Sequence, residues 1–248
     1  MRNTFRRWSL FLVICSCLAL PALGQRAAAG ADGRSTNWLR FYDRFPTVRH
    51  LVVSKAPTRH TSHVNLEAFP LNIALFHAIN GRRCAFMDYL CIAVLFLGSG
   101  WIVLPVVVAA AIFRRRVVPV LLVALAIETL AVMLLKEWLH QPRPAGMLGD
   151  LYFVEWLKSG SLPSGDTAMA FVIAWVLQRG AHPALRTVLL LCAVLVAYER
   201  VYFGAHFPLD VVVGAGLGIA AAALTEHIFK RRSGAPSTPA PEETMLTA

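Results

Sequence analysis

Residues 198–210, YERVYFGAHFPLD, place ionisable side chains between two apolar runs of the chain. His206 precedes Asp210 by four residues, and residues four apart lie on the same face of a helix. Asp210 can then hold one imidazole nitrogen and leave the other nitrogen free to react. The spacing therefore predicts a histidine whose reactive nitrogen is oriented by a carboxylate.

Three cationic side chains accompany this pair. Lys136 and Arg143 lie in residues 136–144, KEWLHQPRP, and Arg200 lies before His206 in the same stretch. An arginine can hold a phosphate through two hydrogen bonds, and a lysine adds a point charge. These residue types favour a site for a phosphate.

The sequence PSGD at residues 163–166 predicts the start of a helix that can bind an anion. Ser164 and Gly165 stand just before an apolar segment, and backbone N–H groups at a helix start attract negative charge. Gly165 also lets a ligand approach the backbone closely. Together with the cations, this pattern predicts phosphoryl transfer without a metal or other cofactor. His206 attacks phosphorus, and the cations stabilise the charge on the equatorial oxygens.

The composition indicates a polytopic membrane protein. Of the 248 residues, 57% are hydrophobic and 15% are charged, whereas an ordinary soluble domain is about 45–50% apolar and about 25% charged. The mean hydropathy is +0.58, and several long runs carry no charge. The net charge of +10 comes largely from loop Lys and Arg residues that set topology, so nucleic acid is not expected as a partner. The five cysteines show no metal-ligand spacing, and neither zinc nor a disulfide framework is expected.

The chain divides into four parts by composition. Residues 1–24 fit a signal peptide or a first transmembrane helix, and residues 25–67 fit an exported polar linker. Residues 68–232 form a membrane-embedded domain that carries the site, and residues 233–248 form a disordered cytoplasmic tail.

Apolar runs predict an all-α fold, a polytopic membrane bundle of about five to six transmembrane helices. A short helix at the membrane surface is expected first, at residues 68–80. The predicted membrane segments are residues 89–113, 117–135, 164–177, 187–205 and 211–229. Gly98, Gly100 and Pro105 predict that the first segment is kinked or split.

Loop charges orient these segments. The Lys- and Arg-rich loops at residues 114–116, 179–186 and 230–232 fall on one side if every segment spans. By the positive-inside rule that side is the cytoplasm. The three stretches that carry the site then meet at the outer membrane face. We therefore expect an integral protein of the bacterial inner (plasma) membrane, with its active site facing the periplasm or the exterior.

The same three stretches resemble the motifs of a known family. Residues 136–144 match K-x6-RP, residues 163–165 match most of PSGH, and Arg200, His206 and Asp210 match SR-x5-H-x3-D. These motifs belong to the type 2 phosphatidic acid phosphatase superfamily, which also contains the vanadium haloperoxidases. The resemblance implies a helical membrane core that removes phosphate from lipid phosphates without a metal.

The resemblance also implies a role for each matching residue. His206 is implied to be the nucleophile that forms a phosphohistidine, and Asp210 is implied to orient it. The implied phosphate-binding residues are Lys136, Arg143, Ser164, Gly165 and Arg200.

Two positions depart from the family motifs. Asp166 replaces the histidine of PSGH, and Glu199 replaces the serine of SR-x5-H-x3-D. That histidine protonates the leaving alkoxide, and an aspartate, whose reference pKa is about 2.5 units lower, is a poor acid at pH 7. With Asp166 at this catalytic position, we expect a substrate whose leaving group needs little protonation, such as a polyprenyl diphosphate. Glu199 is interpreted as a neutralising partner of Lys136 or Arg200 at the rim of the site.

Several functions remain open on the sequence alone. An enzyme is favoured, a lipid phosphatase that cleaves a phosphoric ester or anhydride of a phospholipid or a polyprenyl diphosphate. A phosphotransferase would pass the phosphate to another lipid instead of water. A non-catalytic phospholipid binder would not need an oriented nucleophile. A transporter would need ionisable groups through the membrane depth, where only Glu128 qualifies.

Overall fold

The computed structural model describes residue 66 and residues 68–82, 84–148 and 160–234. The predicted signal peptide or first transmembrane helix, nearly all of the predicted linker and the predicted tail after residue 234 lie outside the described residues. Within the described residues every regular element is a helix. This confirms the all-α fold class for that part of the chain.

Eight α-helices follow one another in the described part of the chain. They are α1 Pro70–Asn80, α2 Ala85–Gly98, α3 Val103–Arg114, α4 Val118–Leu139, α5 Pro144–Met147, α6 Gly165–Leu177, α7 Pro183–Tyr202 and α8 Pro208–Gly234. Short 3-10 turns, Gly100–Ile102 and Arg115–Val117, lie on either side of α3. Proline stands at the first or second position of α1, α4, α5 and α7, where its fixed φ suits a helix start and its missing N–H costs nothing.

Among the residues that the structure describes, two helical stretches are long and apolar enough to cross a membrane. Gly100–Leu139 has 40 residues and contains an 18-residue window with a mean hydropathy of 2.6, and Pro208–Arg231 has 24 residues and contains such a window with a mean hydropathy of 1.7. A straight helix of the first length would measure about 60 Å, twice the hydrocarbon thickness. Arg114 interrupts it with φ −149° and ψ 47°. Because side chains of both α3 and α4 pack into one core with α6, the stretch folds back on itself there.

The split predicted for the segment at residues 89–113 is confirmed, because the 3-10 turn Gly100–Ile102 separates α2 from α3. Two predicted boundaries need correction. The second segment, predicted to end at residue 135, continues as α4 to Leu139, so Lys136 lies in the last helical turn. α7 begins at Pro183, earlier than predicted, because His182 caps the helix by accepting a bond from the backbone N–H of Ala184.

Helix α6 lies at the centre of the described bundle, in contact with α4, α7 and α8. One apolar core joins α6 to α3, α4 and α8, and a second joins it to α2 and α7. Most residues of α6 are buried. Their small or branched side chains allow the neighbouring helices to pack against α6 on several sides. The first residues of α6 are therefore held in the middle of one end of the bundle.

Two glycines of α8 allow its backbone to touch α6. A Cβ atom built on Gly214 would lie 2.5 Å from the carbonyl oxygen of Ser164, and one built on Gly218 would overlap the carbonyl oxygen of Ala168. This Gly-x3-Gly spacing is typical of closely packed membrane helices. The backbone N–H of Ser164 also donates to the carbonyl oxygen of Asp210, at 3.1 Å. The starts of α6 and α8 are thus fixed against each other.

Helix α1 is present where a surface helix was predicted, and it holds the connection between α7 and α8. Asn72 Oδ1 accepts a bond from the backbone N–H of Leu209, at 3.0 Å. The rings of Phe76 and Phe207 pack with centroids 5.4 Å apart. Because these contacts flank the segment between Tyr202 and Pro208, α1 helps to hold the loop that carries His206. Its location at the membrane surface stays a prediction.

Candidate active site

His206 lies in the buried loop between α7 and α8, and Asp210 lies in the first turn of α8. His206 Nδ1 is 3.1 Å from Asp210 Oδ2. The same carboxylate oxygen accepts bonds from the backbone N–H of Phe207, at 2.8 Å, and from the hydroxyl of Ser161. Asp210 is thereby fixed in the orientation that holds the imidazole.

Arg143 determines which imidazole nitrogen carries the proton. Its Nη1 lies 3.2 Å from His206 Nε2. A guanidinium can only donate, so Nε2 accepts and the imidazole proton lies on Nδ1, facing Asp210. The lone pair of Nε2 therefore points at the cationic side of the site, where a phosphate would be held. This is the orientation predicted from the spacing of His206 and Asp210.

Burial lowers the pKa of His206 to about 4. Its bond and charge interaction with Asp210 raise the pKa, and the positive charges of Arg143 and Lys136 lower it further. Burial dominates, so the imidazole is neutral at pH 7. Neutral imidazole is the form that can attack an electrophile.

Arg143 is anchored by backbone carbonyl groups. It lies just before α5, where Nη1 donates to the carbonyl oxygen of Ala205 at 2.7 Å and Nη2 donates to that of Gly160 at 3.3 Å. Lys136, in the last turn of α4, is near enough for its charge to act on His206. Arg143 therefore contacts the imidazole directly, and Lys136 acts on it through its charge.

Helix α6 begins at Gly165, as the PSGD sequence predicts. Ser164 is its buried N-cap residue, and its hydroxyl lies 3.0 Å from the hydroxyl of Thr167. The first N–H groups of a helix have no partner within the helix. Because the backbone of Ser164 is bonded to Asp210, this helix start lies beside the His206–Asp210 pair.

Arg200 is held by the two residues that depart from the family motifs. Its Nε and Nη2 donate to the two carboxylate oxygens of Glu199, at 2.6 and 2.7 Å. Its Nη1 donates to Asp166 Oδ2, at 2.8 Å. The pairing of Glu199 with Arg200 agrees with its interpretation as a neutralising partner. Its predicted location at the rim is wrong, because Glu199 is fully buried where the last turn of α7 packs into the bundle.

Backbone hydrogen bonds connect Arg200 to the loop that carries the imidazole of His206. The carbonyl oxygen of Arg200 accepts bonds from the backbone N–H groups of Ala205 and His206. The structure therefore brings together all eight predicted site residues at one end of the bundle. These are Lys136, Arg143, Ser164, Gly165, Asp166, Arg200, His206 and Asp210.

Sequence reasoning missed contributors to this geometry. Ser161 donates to Asp210, and the carbonyl groups of Gly160 and Ala205 orient Arg143. Gly160 and Ser161 are separated from the PSGD sequence only by Leu162, but nothing in their residue types indicates which partner they contact. Only proximity to a recognised motif could have drawn attention to them.

Comparison with known proteins agrees with this architecture. The PAP2 superfamily matches residues 117–233, which include α4 to α7, all but the last residue of α8 and every predicted site residue. An undecaprenyl-diphosphatase of Sulfolobus acidocaldarius is 29% identical over 150 residues, which cover 59% of this chain and 73% of the relative.

Two solved structures resemble the chain. Aquifex aeolicus LpxE is 42% identical, with a TM-score of 0.65, and the match covers 66% of this chain and 99% of that one. A transmembrane PAP2-type phosphatidylglycerolphosphate phosphatase from Bacillus subtilis is 21% identical, with a TM-score of 0.55. That match covers 90% of this chain and 94% of the other, and it shows the fold alone.

These relatives confirm the family predicted from the three motifs and the prediction of an enzyme of the lipid phosphatase class. They also agree with the two apolar helical stretches in indicating a membrane protein. The chain belongs to the PAP2 superfamily.

Proposed function

We propose that this protein hydrolyses a lipid diphosphate, such as a polyprenyl diphosphate, through a phosphohistidine on His206. The observation that carries the proposal is the pair of contacts on the imidazole. Nδ1 faces Asp210, and Nε2 faces the guanidinium of Arg143. An unprotonated nitrogen beside a guanidinium is suited to attack a phosphate that the guanidinium holds.

The reaction has two steps in this proposal. Nε2 first attacks the terminal phosphorus, a P–N bond forms, and the P–O bond to the leaving lipid phosphate breaks with its electron pair on that oxygen. Asp210 stabilises the positive charge that develops on the imidazole. Water then attacks phosphorus and the P–N bond breaks. Orthophosphate and a proton are released, and Nε2 regains its lone pair.

The cations and the start of α6 stabilise the charge on the equatorial oxygens during both steps. Arg143 contacts the imidazole, Lys136 adds its charge, and Ser164 and Gly165 supply the helix start. Such preorganised donors are commonly the largest single contribution to catalysis in acyl and phosphoryl transfer. In this site the donors are side chains and backbone N–H groups of the chain itself.

The preference for a diphosphate rests on Asp166. Its carboxylate accepts a hydrogen bond from Arg200, which favours its role as an acceptor over that of a proton donor. An alkoxide leaves poorly without a proton, whereas a phosphate leaves readily. The similarity to an undecaprenyl-diphosphatase supports the same substrate class. Water is the acceptor that this proposal assigns, in preference to a second lipid.

The substrate preference can be measured with purified protein in detergent. We expect kcat/KM for undecaprenyl diphosphate to exceed that for phosphatidate by about a hundredfold, the size of a typical general-acid contribution. Asp166→His supplies a proton donor and should raise phosphatidate turnover by about tenfold, with a smaller effect on the diphosphate. Faster release from phosphatidate by the unaltered protein would show that the proposed substrate class is wrong.

The site is proposed to face the periplasm or the exterior. Arg114 donates to the carbonyl oxygens of Leu177 and Arg179, so this arginine lies at the end of α6 opposite Gly165. The positive loops and the site thus lie at opposite ends of the bundle, which supports the orientation expected from the positive-inside rule. A β-galactosidase fusion after residue 180 should be active, and an alkaline phosphatase fusion after residue 205 should be active. The opposite pattern would reverse the orientation.

A further inference from the structure

The guanidinium of Arg200 lies between two carboxylates that come from different elements. Glu199 is its neighbour in α7, and Asp166 lies in the first turn of α6. At least three of the five N–H donors of the guanidinium are directed at these two side chains. In the resting site, therefore, the cation that the family motif assigns to phosphate is already bonded to acidic side chains of the protein.

The two carboxylates differ in burial and in the number of bonds. Glu199 is 0% exposed and binds the guanidinium through both oxygens. Asp166 is 34% exposed and is joined to Nη1 by one bond. Breaking a buried ion pair leaves an uncompensated charge, whereas a partly exposed pair contributes little to stability. Glu199 is therefore the permanent partner of Arg200, and Asp166 is the partner that can be displaced.

Displacement of Asp166 would leave its carboxylate in a favourable place. Asp166 lies in the first turn of α6, where the helix dipole stabilises a negative charge. Its partial exposure also allows water to solvate the released carboxylate. Arg200 would stay in position meanwhile, because Glu199 holds it by a different edge of the guanidinium.

We propose that Asp166 is a tethered anion that occupies Arg200 in the resting site and that a bound phosphate must displace it. This inference rests on the proposed function and on the role of phosphate ligand that the family motif implies for Arg200. The proposal gives the two acids different roles at the same guanidinium. Glu199 positions the guanidinium, and Asp166 competes with the ligand for it.

The competition has a consequence for product release. When only a fraction of the sites is competent to bind, the apparent dissociation constant of every ligand rises by the same factor. Orthophosphate would then leave more easily, because Asp166 returns to Arg200 as the product departs. An anion of lower intrinsic affinity, such as the singly charged headgroup of a phosphodiester lipid, would then bind too weakly to displace Asp166.

The test is the affinity of the purified full chain for orthophosphate, measured by isothermal titration calorimetry in detergent at pH 7.5. We expect Asp166→Asn and Asp166→Ala to bind orthophosphate about tenfold more tightly than the unaltered protein. Glu226→Gln is the matched control, because it removes a carboxylate that is 2.7 Å from Arg179 near the other end of the bundle. This control should not change the affinity. Equal or weaker binding by both Asp166 variants would overturn the proposal.

Glu199→Gln separates competition from simple charge repulsion. If Asp166 only repels phosphate through space, the removal of either carboxylate should tighten binding. If Glu199 positions Arg200, Glu199→Gln should weaken binding while the Asp166 variants tighten it. Tighter binding in Glu199→Gln would overturn the proposal.

The proposed function fails in a different way. If the unaltered protein and both Asp166 variants bind no orthophosphate, the phosphate site itself is wrong, and this inference is overturned with it. If the unaltered protein hydrolyses the lipid diphosphate and the Asp166 variants show no gain in affinity, only the role given to Asp166 is overturned.

Discussion

Replacement of His206 by asparagine should reduce phosphate release by about a thousandfold or more, as expected when a nucleophile is removed. Asparagine keeps a polar group near Asp210 but has no nitrogen lone pair that can attack phosphorus. Brief incubation with a terminally ³²P-labelled lipid diphosphate, followed by an alkaline quench, should label the unaltered protein. The label should be lost on acidification, as phosphohistidine is, and it should be absent from His206→Asn.

His182→Asn is the matched control for this experiment. His182 is an exposed histidine that caps the start of α7, at the opposite end of that helix from Arg200. The His182→Asn variant should retain both the label and the turnover of the unaltered protein. Equal labelling of His206→Asn would mean that another group is the nucleophile. Turnover without any trapped label in the unaltered protein would favour direct attack by water.

Replacement of Gly218 by alanine should have the largest effect on stability. A Cβ atom at this position would overlap the carbonyl oxygen of Ala168, which belongs to the backbone of α6 and cannot move aside as a flexible side chain can. Overpacking of this kind costs about 1–3 kcal/mol. α8 would be pushed away from α6, and Asp210 would move with it, so activity should fall by about tenfold or more.

The measurement is a thermal unfolding curve in detergent, together with lipid phosphatase activity. Gly216→Ala is the matched control, because it adds the same methyl group to the same helix at a position where no atom lies within 4 Å of the new Cβ. Its midpoint should stay unchanged or rise slightly, since alanine favours a helix over glycine. A Gly218→Ala variant as stable and as active as Gly216→Ala would mean that the close contact of α8 with α6 is not needed.

Helix positions were predictable where local signals are strong. The segment predicted at residues 164–177 is observed as Gly165–Leu177, because a serine, a glycine and a proline mark its start. The helix predicted from residue 187 begins at Pro183, since Pro183 and the capping His182 extend it beyond the apolar run. The break at Arg114 and the split after Gly98 were also predictable, because three arginines mark the first and Gly98, Gly100 and Pro105 mark the second.

Local patterns in the chain were sufficient to predict which residues form the candidate site. The four-residue spacing of His206 and Asp210, the cations of the first motif and the helix start at Gly165 depend on local geometry, so a pattern in the chain is sufficient to predict them. The tertiary structure alone decided the partners of the two unusual acids. Asp166 and Arg200 are 34 residues apart, as the sequence numbers show, and their contact depends on how α6 packs against α7. No local periodicity encodes a distance between side chains on different helices, and for that reason the sequence could name both departures from the motif but could not show that they meet on one guanidinium.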